Sequence, residues 1–224
     1  QAELRTSIAE AYGRLGKVDE AVKAVDEALA VQADLPWALL TKARLLAVKG
    51  DSEGAFGLID KVIAQGGPSL GEAWQSRGDV AFKIRRDPAG AIAAYQKALI
   101  DARRALAVRL SMVHVYMVQR DAAGIKAQLV ELKKSHPTAP QTQLVGAQVA
   151  YIERDFDRAR DLIQSLLRLA PTAKPLLVLA GAVEIERGAL VAAETHLGKA
   201  VQTSDPSPVA RHLLATTYLR MGQG

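Results

Sequence analysis

The chain has 224 residues, no cysteine, and a composition that is 49% hydrophobic but only 4% aromatic. The lack of cysteine excludes disulfides, cysteine-ligated metal sites and a thiol nucleophile. Lysine and arginine exceed aspartate and glutamate by 29 to 24, and the two signs alternate, so the sequence predicts no basic stripe for nucleic acid. No apolar run approaches the ~18 residues of a membrane-spanning helix.

The first segment, residues 2–35, is predicted to form two helices separated by a turn at Gly16. Small and aromatic residues recur at helical spacing, first Ala9 and Tyr12, then Ala21, Val25 and Ala28. The second segment, residues 36–70, begins at Pro36, which suits a first helical position because its missing N–H is not needed there. Its second helix is expected to end at Gly66-Gly67-Pro68.

The same pattern continues to the end of the chain. Asp87-Pro88 is predicted to start a helix as N-cap and first residue, and Pro137 and Pro171 are each predicted to follow a helix end. The remaining segments are residues 71–105, 106–139, 140–173, 174–207 and a last helix in 208–224.

A turn residue recurs between the two helices of these segments. Most of its occurrences are 34 residues apart, as at Gly16, Gly50, Arg120, Arg154, Gly188 and Gly222. Gly50 and Arg120 are 70 residues apart, which is two periods with two additional residues. We place these near Leu70-Gly71 and in the turn at Arg85-Arg86. A helix-turn-helix unit repeated every ~34 residues is typical of tetratricopeptide repeats.

Residue types at fixed repeat positions agree with that family. The matching residues are Trp74 with Gly78, then Tyr12, Tyr116 and Tyr218, then Ala91, Tyr95 and Ala98, then Pro137 and Pro171. The chain therefore resembles the tetratricopeptide-repeat family over essentially its whole length. The resemblance implies an all-α, right-handed α-solenoid in one domain, residues 1–224, with six full repeats and one half repeat. Both ends are expected to be cuts in a longer protein.

Three positions depart from the family pattern. Arg109 replaces a usual tryptophan, Val113 replaces a small residue, and Glu184 replaces a tyrosine. We expect Glu184 to reach solvent or to pair with Arg187 or Arg211.

The family resemblance also implies a ligand groove along the first helix of each repeat. We predict that it is polar at the start of the chain, becomes mainly apolar from the fourth repeat onward, and binds a peptide or protein. Alternatively, several of its residues pack against neighbouring first helices. The predicted groove residues are Trp37, Leu40, Arg44, Gln75, Asp79, Phe82, Leu110, His114, Met117, Leu144, Gln148, Tyr151, Val178, Leu179 and Leu213.

Signals of catalysis are missing from the sequence. The histidines His114, His136, His196 and His212 lie in different repeats without metal-ligand spacing, and no hydrolase, metalloprotease or phosphate-loop motif occurs. We therefore predict no catalytic residues, metal or cofactor, and a binding scaffold in place of an enzyme. The oligomeric state stays open.

Three segments suggest a narrower family. They are Ala210–Gln223, Leu179–Gly188 and Arg86–Tyr95. Together they resemble the tetratricopeptide-repeat lipoproteins of the PEP-CTERM/exosortase system of Gram-negative bacteria. That resemblance implies a periplasmic or outer-membrane protein linked to exopolysaccharide production and protein sorting, held to the membrane only by an anchor outside this segment. The alternatives are a carbohydrate-binding subunit of polysaccharide export and a cytoplasmic adaptor.

Overall fold

The computed structural model describes residues 1–202 and 207–222, and all regular structure in them is helical. The predicted all-α fold class is thereby confirmed, whereas the number of repeats stays a prediction. Two short 3-10 helices, Gly67–Ser69 and Ala102–Arg104, precede α5 and α7. The α-helices of the described residues are α1 Ala2–Arg14, α2 Val18–Val31, α3 Pro36–Val48, α4 Ser52–Gln65, α5 Leu70–Lys83, α6 Pro88–Ala98, α7 Ala105–Gln119, α8 Ala122–Ser135, α9 Pro140–Ile152, α10 Phe156–Leu169, α11 Lys174–Glu186, α12 Leu190–Val201 and α13 Pro208–Arg220.

The chain divides into two compact units, Gln1–Arg120 and Asp121–Gly224, and the single domain expected from the sequence stays a prediction. The division falls inside the predicted fourth repeat, 106–139, whose first helix departs from the family pattern at Arg109 and Val113. In each unit, a first helix packs on the second helix that follows it, as α1 does on α2 and α9 does on α10. Each second helix then packs on the next first helix, so that each apolar side is covered by its neighbour.

The predicted turn residues share one backbone conformation. All have positive φ: Gly16 74°, Gly50 85°, Arg120 58°, Arg154 62°, Gly188 75° and Gly222 75°. This left-handed conformation ends a helix and turns the chain toward the next one. Arg86 has φ 56° and occupies the same place in the turn between α5 and α6.

The turn at Arg86 is one residue longer than its counterparts, as the spacing predicted. In the turns at Gly16, Gly50, Arg154 and Gly188 a backbone N–H bonds to the carbonyl five residues earlier, as from Lys17 to Tyr12 at 3.0 Å and from Asp155 to Ala150 at 2.9 Å. After Arg86 the corresponding bond runs from Asp87 to Ala81, six residues earlier, at 2.9 Å. The additional residue is thus absorbed in the turn without disturbing the helices.

Side-chain caps and prolines set the helix ends. The Asp87 carboxylate accepts the Gly90 N–H at 2.9 Å and Pro88 is the first residue of α6, as predicted. Aspartates cap α4, α8 and α10 in the same way. Because each carboxylate satisfies an N–H that lacks a partner within the helix, these caps specify where the second helices begin.

Glycines allow the closest helix contacts within a pair. A Cβ added at Gly78 would lie 2.5 Å from the Tyr95 ring, and one added at Gly181 would overlap the Leu197 side chain. The corresponding alanines Ala9 and Ala43 are fully buried. The small residues therefore let α5 approach α6 and α11 approach α12.

Candidate functional site

In the first unit, the Arg44 guanidinium is the centre of a polar cluster on the first helices. Its Nη2 donates to Oε1 of Glu10 on α1 at 2.9 Å, and its Nη1 donates to Oε1 of Glu72 on α5 at 3.0 Å. The side chains of Arg44, Glu10 and Glu72 are 43%, 25% and 27% exposed. Arg44 therefore bridges two carboxylates while remaining open to solvent. The Arg44 cluster is the name used here for Glu10, Trp37, Thr41, Arg44, Glu72, Gln75 and Arg104.

Neighbouring groups orient the carboxylates of the Arg44 cluster. The Trp37 indole donates to Oε1 of Glu10 at 2.8 Å, and the Thr41 hydroxyl donates to the same oxygen at 3.3 Å. Arg104 donates to Oε2 of Glu72 at 2.7 Å and to Oε1 of Gln75 at 3.2 Å. Opposite charges consequently alternate along this face, from Glu10 through Arg44 and Glu72 to Arg104.

Two open grooves meet at the Arg44 cluster. The larger groove, of about 440 Å³, is lined by α1 and α3 residues and by Glu72, while the smaller one, of about 240 Å³, lies between α3 and α5. Arg44 and Val48 line both of them. The Val48 side chain is 70% exposed, so an apolar contact surface lies one helical turn from the guanidinium. This combination can hold a chain that carries both polar and apolar groups.

Two side-chain contacts fix the positions of predicted groove residues on α5 and α7. The Tyr95 hydroxyl donates to Oδ1 of Asp79 at 2.7 Å, and burial, followed by the charge of Asp79, raises the pKa of Tyr95 well above its usual value. Phe82 contacts the ring of His114 edge-on, with 5.4 Å between centroids. His114 and Met117 are exposed and Leu110 is half-buried.

Leu40 was predicted to line the groove, and the structure contradicts this prediction. Its side chain is fully buried and belongs to the core cluster around Ala43 and Ile59, so it offers no surface to a partner in this structure. The sequence Ala38-Leu39-Leu40-Thr41 is buried throughout because α3 packs on helices on several sides. A helix that is apolar around most of its circumference has no pattern that separates its lining face from its core face.

In the second unit, the predicted groove residues are half-buried. Tyr151 and Leu179 pack against one core cluster, Val178 against a second and Leu213 against a third. Leu144 and Gln148 are also half-buried. These contacts agree with the alternative that such residues pack against neighbouring helices, and their role in binding stays a prediction.

The carboxylate of Glu184 is buried in the second unit and paired. It accepts from Nη1 of Arg187 at 3.1 Å and lies 3.8 Å from Nε of Arg160, with 8% of its side chain exposed. Of the two predicted alternatives, solvent exposure or an ion pair, the structure has the pair with Arg187. Nδ1 of His196, at the same small cavity, is buried and has no hydrogen-bond partner among the described residues. Burial lowers the pKa of His196, with Lys199 adding to the effect and Glu184 opposing it.

The sequence did not lead us to predict Glu72 as a lining residue or Arg104 as its hydrogen-bond partner. One signal was present for the cluster, because Glu10 and Arg44 are 34 residues apart and so occupy the same repeat position with opposite charge. No such periodicity connects Arg44 with Glu72, which is 28 residues away. That pair depends on which side chains two neighbouring helices bring together.

Neither a metal-binding cluster nor a membrane-spanning helix occurs in residues 1–202 and 207–222. No three side chains of histidine, cysteine, aspartate or glutamate in that part of the chain are grouped to hold a metal ion. None of its helices has both the length and the hydropathy needed to cross a membrane.

Comparison with known proteins identifies the repeats. The tetratricopeptide repeat profile matches residues 6–70 and, overlapping them, residues 40–107. No curated protein matches the chain significantly in sequence.

Solved structures extend the similarity to the rest of the chain. PilF of Pseudomonas aeruginosa aligns with a TM-score of 0.75 and 15% identity, covering 96% of this chain and 97% of PilF. PilW, described as a widely conserved type IV pilus biogenesis factor, aligns at 0.75 and 16% identity, covering 95% and 98%. A tetratricopeptide repeat protein of Parabacteroides merdae aligns at 0.70 and 19% identity, covering 96% and 84%. Residues 6–107 therefore belong to the tetratricopeptide-repeat family, and the chain as a whole has the all-helical fold of proteins built from such repeats.

Proposed function

We propose that this protein is a non-catalytic scaffold that binds a peptide or protein partner on the first helices of its N-terminal unit. Tetratricopeptide-repeat proteins are generally scaffolds of this kind. The observation that carries the proposal is the Arg44 cluster, where an oriented guanidinium and two oriented carboxylates line a groove of about 440 Å³ and the guanidinium also lines a second groove of about 240 Å³.

The geometry favours a partner chain with mixed chemistry. Glu10 and Glu72 accept hydrogen bonds, whereas Arg44 donates them, so both backbone N–H and C=O groups of an extended peptide find partners here. Val48 supplies an apolar contact beside them. Since all three charged groups already hold their positions in the free protein, little side-chain entropy is lost on binding.

Peptide selection tests this proposal directly. Twelve-residue peptides displayed on phage are selected on the wild-type protein, and their affinities are measured for the Arg44→Ala variant. We expect at least about tenfold weaker binding, since truncating a central arginine commonly costs more than about 1.4 kcal/mol.

A matched variant controls for changes of surface charge. Lys61→Ala removes a cation on the second helix α4, whose Nζ lies 2.6 Å from Oδ1 of Asp34, and it touches neither groove. It should bind the selected peptides like the wild type. Equal binding by the Arg44→Ala variant would contradict the proposed site, provided circular dichroism shows both variants folded.

We further propose that the protein works in the periplasm or outer membrane of a Gram-negative bacterium, in exopolysaccharide-linked protein sorting. The support is the resemblance of Ala210–Gln223, Leu179–Gly188 and Arg86–Tyr95 to lipoproteins of the PEP-CTERM/exosortase system. PilW is described as a pilus biogenesis factor, but its likeness at 16% identity concerns the fold alone. Fractionation of the producing cells tests the location, and recovery in the cytoplasm would favour the adaptor alternative.

Carbohydrate binding is the alternative function, and the aromatic side chains give it little support. Lys97 lies 4.2 Å from the centre of the Trp74 ring, and Arg77 and Arg85 lie 4.7 and 4.6 Å from that of Phe56. Sugars stack on open aromatic faces, and these rings are already covered by cations. A specific hit on a glycan array would nevertheless overturn the protein-partner proposal.

A further inference from the structure

The smaller of the two grooves that meet at Arg44 has mostly apolar walls. It lies between α3 and α5, and its walls include Ala47 and Val48 on one side and Val80 and Ile84 on the other. Ala47 and Val80 are 9% and 4% exposed, whereas Val48 and Ile84 are 70% and 36% exposed. Buried methyl groups thus form its floor and exposed ones its upper edges. This groove is called the α3–α5 groove.

The size of the α3–α5 groove suits one side chain of a partner. Its volume of about 240 Å³ is below the ~300–1,000 Å³ that pockets for small molecules usually have. An aliphatic side chain placed there would contact Val48 and Val80 and would be removed from water. Because the burial of apolar surface is favourable in proportion to its area, a side chain of this kind is the expected occupant.

The charged residues that line the α3–α5 groove are compensated to different degrees. Arg44 is shared by two carboxylates. Oδ1 of Asp79 accepts a hydrogen bond from the Tyr95 hydroxyl at 2.7 Å. Nζ of Lys83 lies 3.7 Å from that same oxygen, which is too far for a hydrogen bond, and the Lys83 side chain is 65% exposed. The ammonium group of Lys83 therefore keeps donors available for a partner.

These differences predict the charge that a partner brings to the groove. A carboxylate near Lys83 would gain an ion pair, and its repulsion by Asp79 is reduced because the Tyr95 hydroxyl already binds that aspartate. A cation at the same place would face Lys83 with like charge. Complementary charges of this kind contribute chiefly to specificity. The Lys83 end of the groove consequently favours an acidic side chain.

The spacing along α5 relates the acidic side chain to the aliphatic one. Val80 and Lys83 are three residues apart, which is about 4.5 Å along a helix with a rise of about 1.5 Å per residue. Alternate side chains of an extended peptide point to the same face and lie about 7 Å apart. The flexible four-carbon stem of lysine can span the difference. An aliphatic residue over Val80 therefore brings the side chain two positions away to Lys83.

We propose that the α3–α5 groove binds an aliphatic side chain of an extended peptide, and that Lys83 pairs with an aspartate or glutamate two positions away in that peptide. The same peptide would contact the Arg44 cluster, so this assignment rests on the proposed function. It names the chemistry of the partner, which is leucine, isoleucine, valine or methionine at a spacing of two from an acidic residue.

Peptide sequencing and a double-mutant cycle test the proposal. Twelve-residue peptides displayed on phage are selected on the wild-type protein, and we expect an aliphatic residue with an acidic one two positions away to recur among them. A selected peptide is then compared with a version that has glutamine at the acidic position. Fluorescence anisotropy measures the affinities of both peptides for the wild type and for the Lys83→Gln variant.

We expect the glutamine peptide to bind the wild type about two- to fivefold more weakly than the original, as for an exposed ion pair. The Lys83→Gln variant should bind both peptides equally, because it lacks the cation. Replacing the aliphatic residue of the peptide by alanine should weaken wild-type binding at least about tenfold. Val48→Ser removes an exposed wall of the groove and should make that loss smaller.

Lys133→Gln is the matched control for the removal of a positive charge. Lys133 is exposed on α8 in the second unit and lines neither groove. This variant should keep the wild-type difference between the two peptides. Circular dichroism checks that it and the variants at Lys83 and Val48 are folded.

Two results would overturn the assignment of the α3–α5 groove and leave the proposed function standing. One is a set of selected peptides that bind Arg44→Ala more weakly but lack the aliphatic and acidic pair. The other is the same loss of affinity for the glutamine peptide in the wild type and in Lys83→Gln. If the wild type selects no peptide, or if Arg44→Ala binds the selected peptides equally well, both proposals fail.

Discussion

The two units use charged residues in opposite ways. In the first unit, Arg44 joins Glu10 and Glu72 across first helices, and these side chains are 25% to 43% exposed. In the second unit, Glu184 is 8% exposed and lies between α10, α11 and α12 with Arg160, Arg187 and His196 around it. A charge at a lining position of the repeat organises a surface, whereas one at a packing position becomes part of the core.

The energetic consequences differ accordingly. Exposed ion pairs contribute about 0–1 kcal/mol each, so the ion pairs of the Arg44 cluster add little to the free energy of unfolding. Removing one member of a buried pair costs up to about 3–5 kcal/mol, because the other charge is left without compensation. Glu184 occupies the repeat position that Tyr12 and Tyr116 hold elsewhere, and its pairing is the condition for a carboxylate to be tolerated there.

The tightest helix contact in each unit gives the largest predicted effect. Gly78→Ala places a methyl group against the Tyr95 ring, which cannot move away easily because its hydroxyl is bonded to Asp79. We expect a loss of about 1–3 kcal/mol in the free energy of unfolding, measured by urea denaturation. Gly181→Ala should cost less, since the overlapping Leu197 side chain can rotate.

Gly57→Ala on α4 is the matched control for these glycine changes. Nothing lies within 4 Å of the added methyl group there, and alanine favours a helix over glycine by about 1 kcal/mol. Stability should therefore rise. A loss equal to that of Gly78→Ala would show that close packing is not the cause.

Replacing Glu184 and Glu72 by glutamine compares a buried carboxylate with an exposed one. Glu184→Gln removes the carboxylate charge near Arg160 and leaves Arg187 paired with Asp157 alone, and we expect a loss of about 1–3 kcal/mol. Glu72→Gln, at 27% exposure, should cost less than about 1 kcal/mol. Chemical denaturation at neutral pH measures both, and equal losses would refute the contrast between a core role and a surface role.

Acidification is expected to have the smallest effect, because the His196 ring is only partly buried. Burial lowers the pKa of His196 in the folded protein below its ordinary value of 6.5. The folded state therefore binds the proton less tightly than the unfolded chain does. Stability that is fully present above about pH 6.5 is lost as the pH falls below it.

Melting temperatures between pH 7.5 and 5.5 measure this loss. His196→Gln should flatten the dependence of stability on pH, because it removes the titrating ring beside Glu184 and Lys199. His212→Gln, at an exposed position of α13, should keep the wild-type dependence. If the pH dependence of stability were flattened only in the His212→Gln variant, His212 and not His196 would be its cause.

The repeat could be predicted from the sequence because its turns depend on interactions between residues close together in the chain. Gly16, Gly50 and Gly188 tolerate positive φ at little cost, and their spacing located Arg120 and Arg154 in the same conformation although arginine rarely adopts it. The Asp87 cap and the proline positions were equally local, since each acts within one turn of its own helix.

The candidate site was only partly predictable. Trp37, Arg44 and Gln75 were predicted on the lining face, but Leu40 is buried, and neither Glu72 nor its hydrogen bond from Arg104 was predicted. Contacts between residues about 30 positions apart depend on the rotation of two helices against each other, which a single helix pattern does not encode. The role of all these residues in binding a partner is the prediction that the Arg44 variant tests.

The sequence by itself determined the helices and their turns, because hydrophobic period, caps and turn conformations are local properties of the chain. Only the tertiary structure decided which lining residues are exposed, how Arg44 is shared by two carboxylates, and that Glu184 is buried. The physical reason is that burial and ion pairing depend on the neighbouring helix, and every helix of a repeat array has the same local pattern whether or not a neighbour covers it.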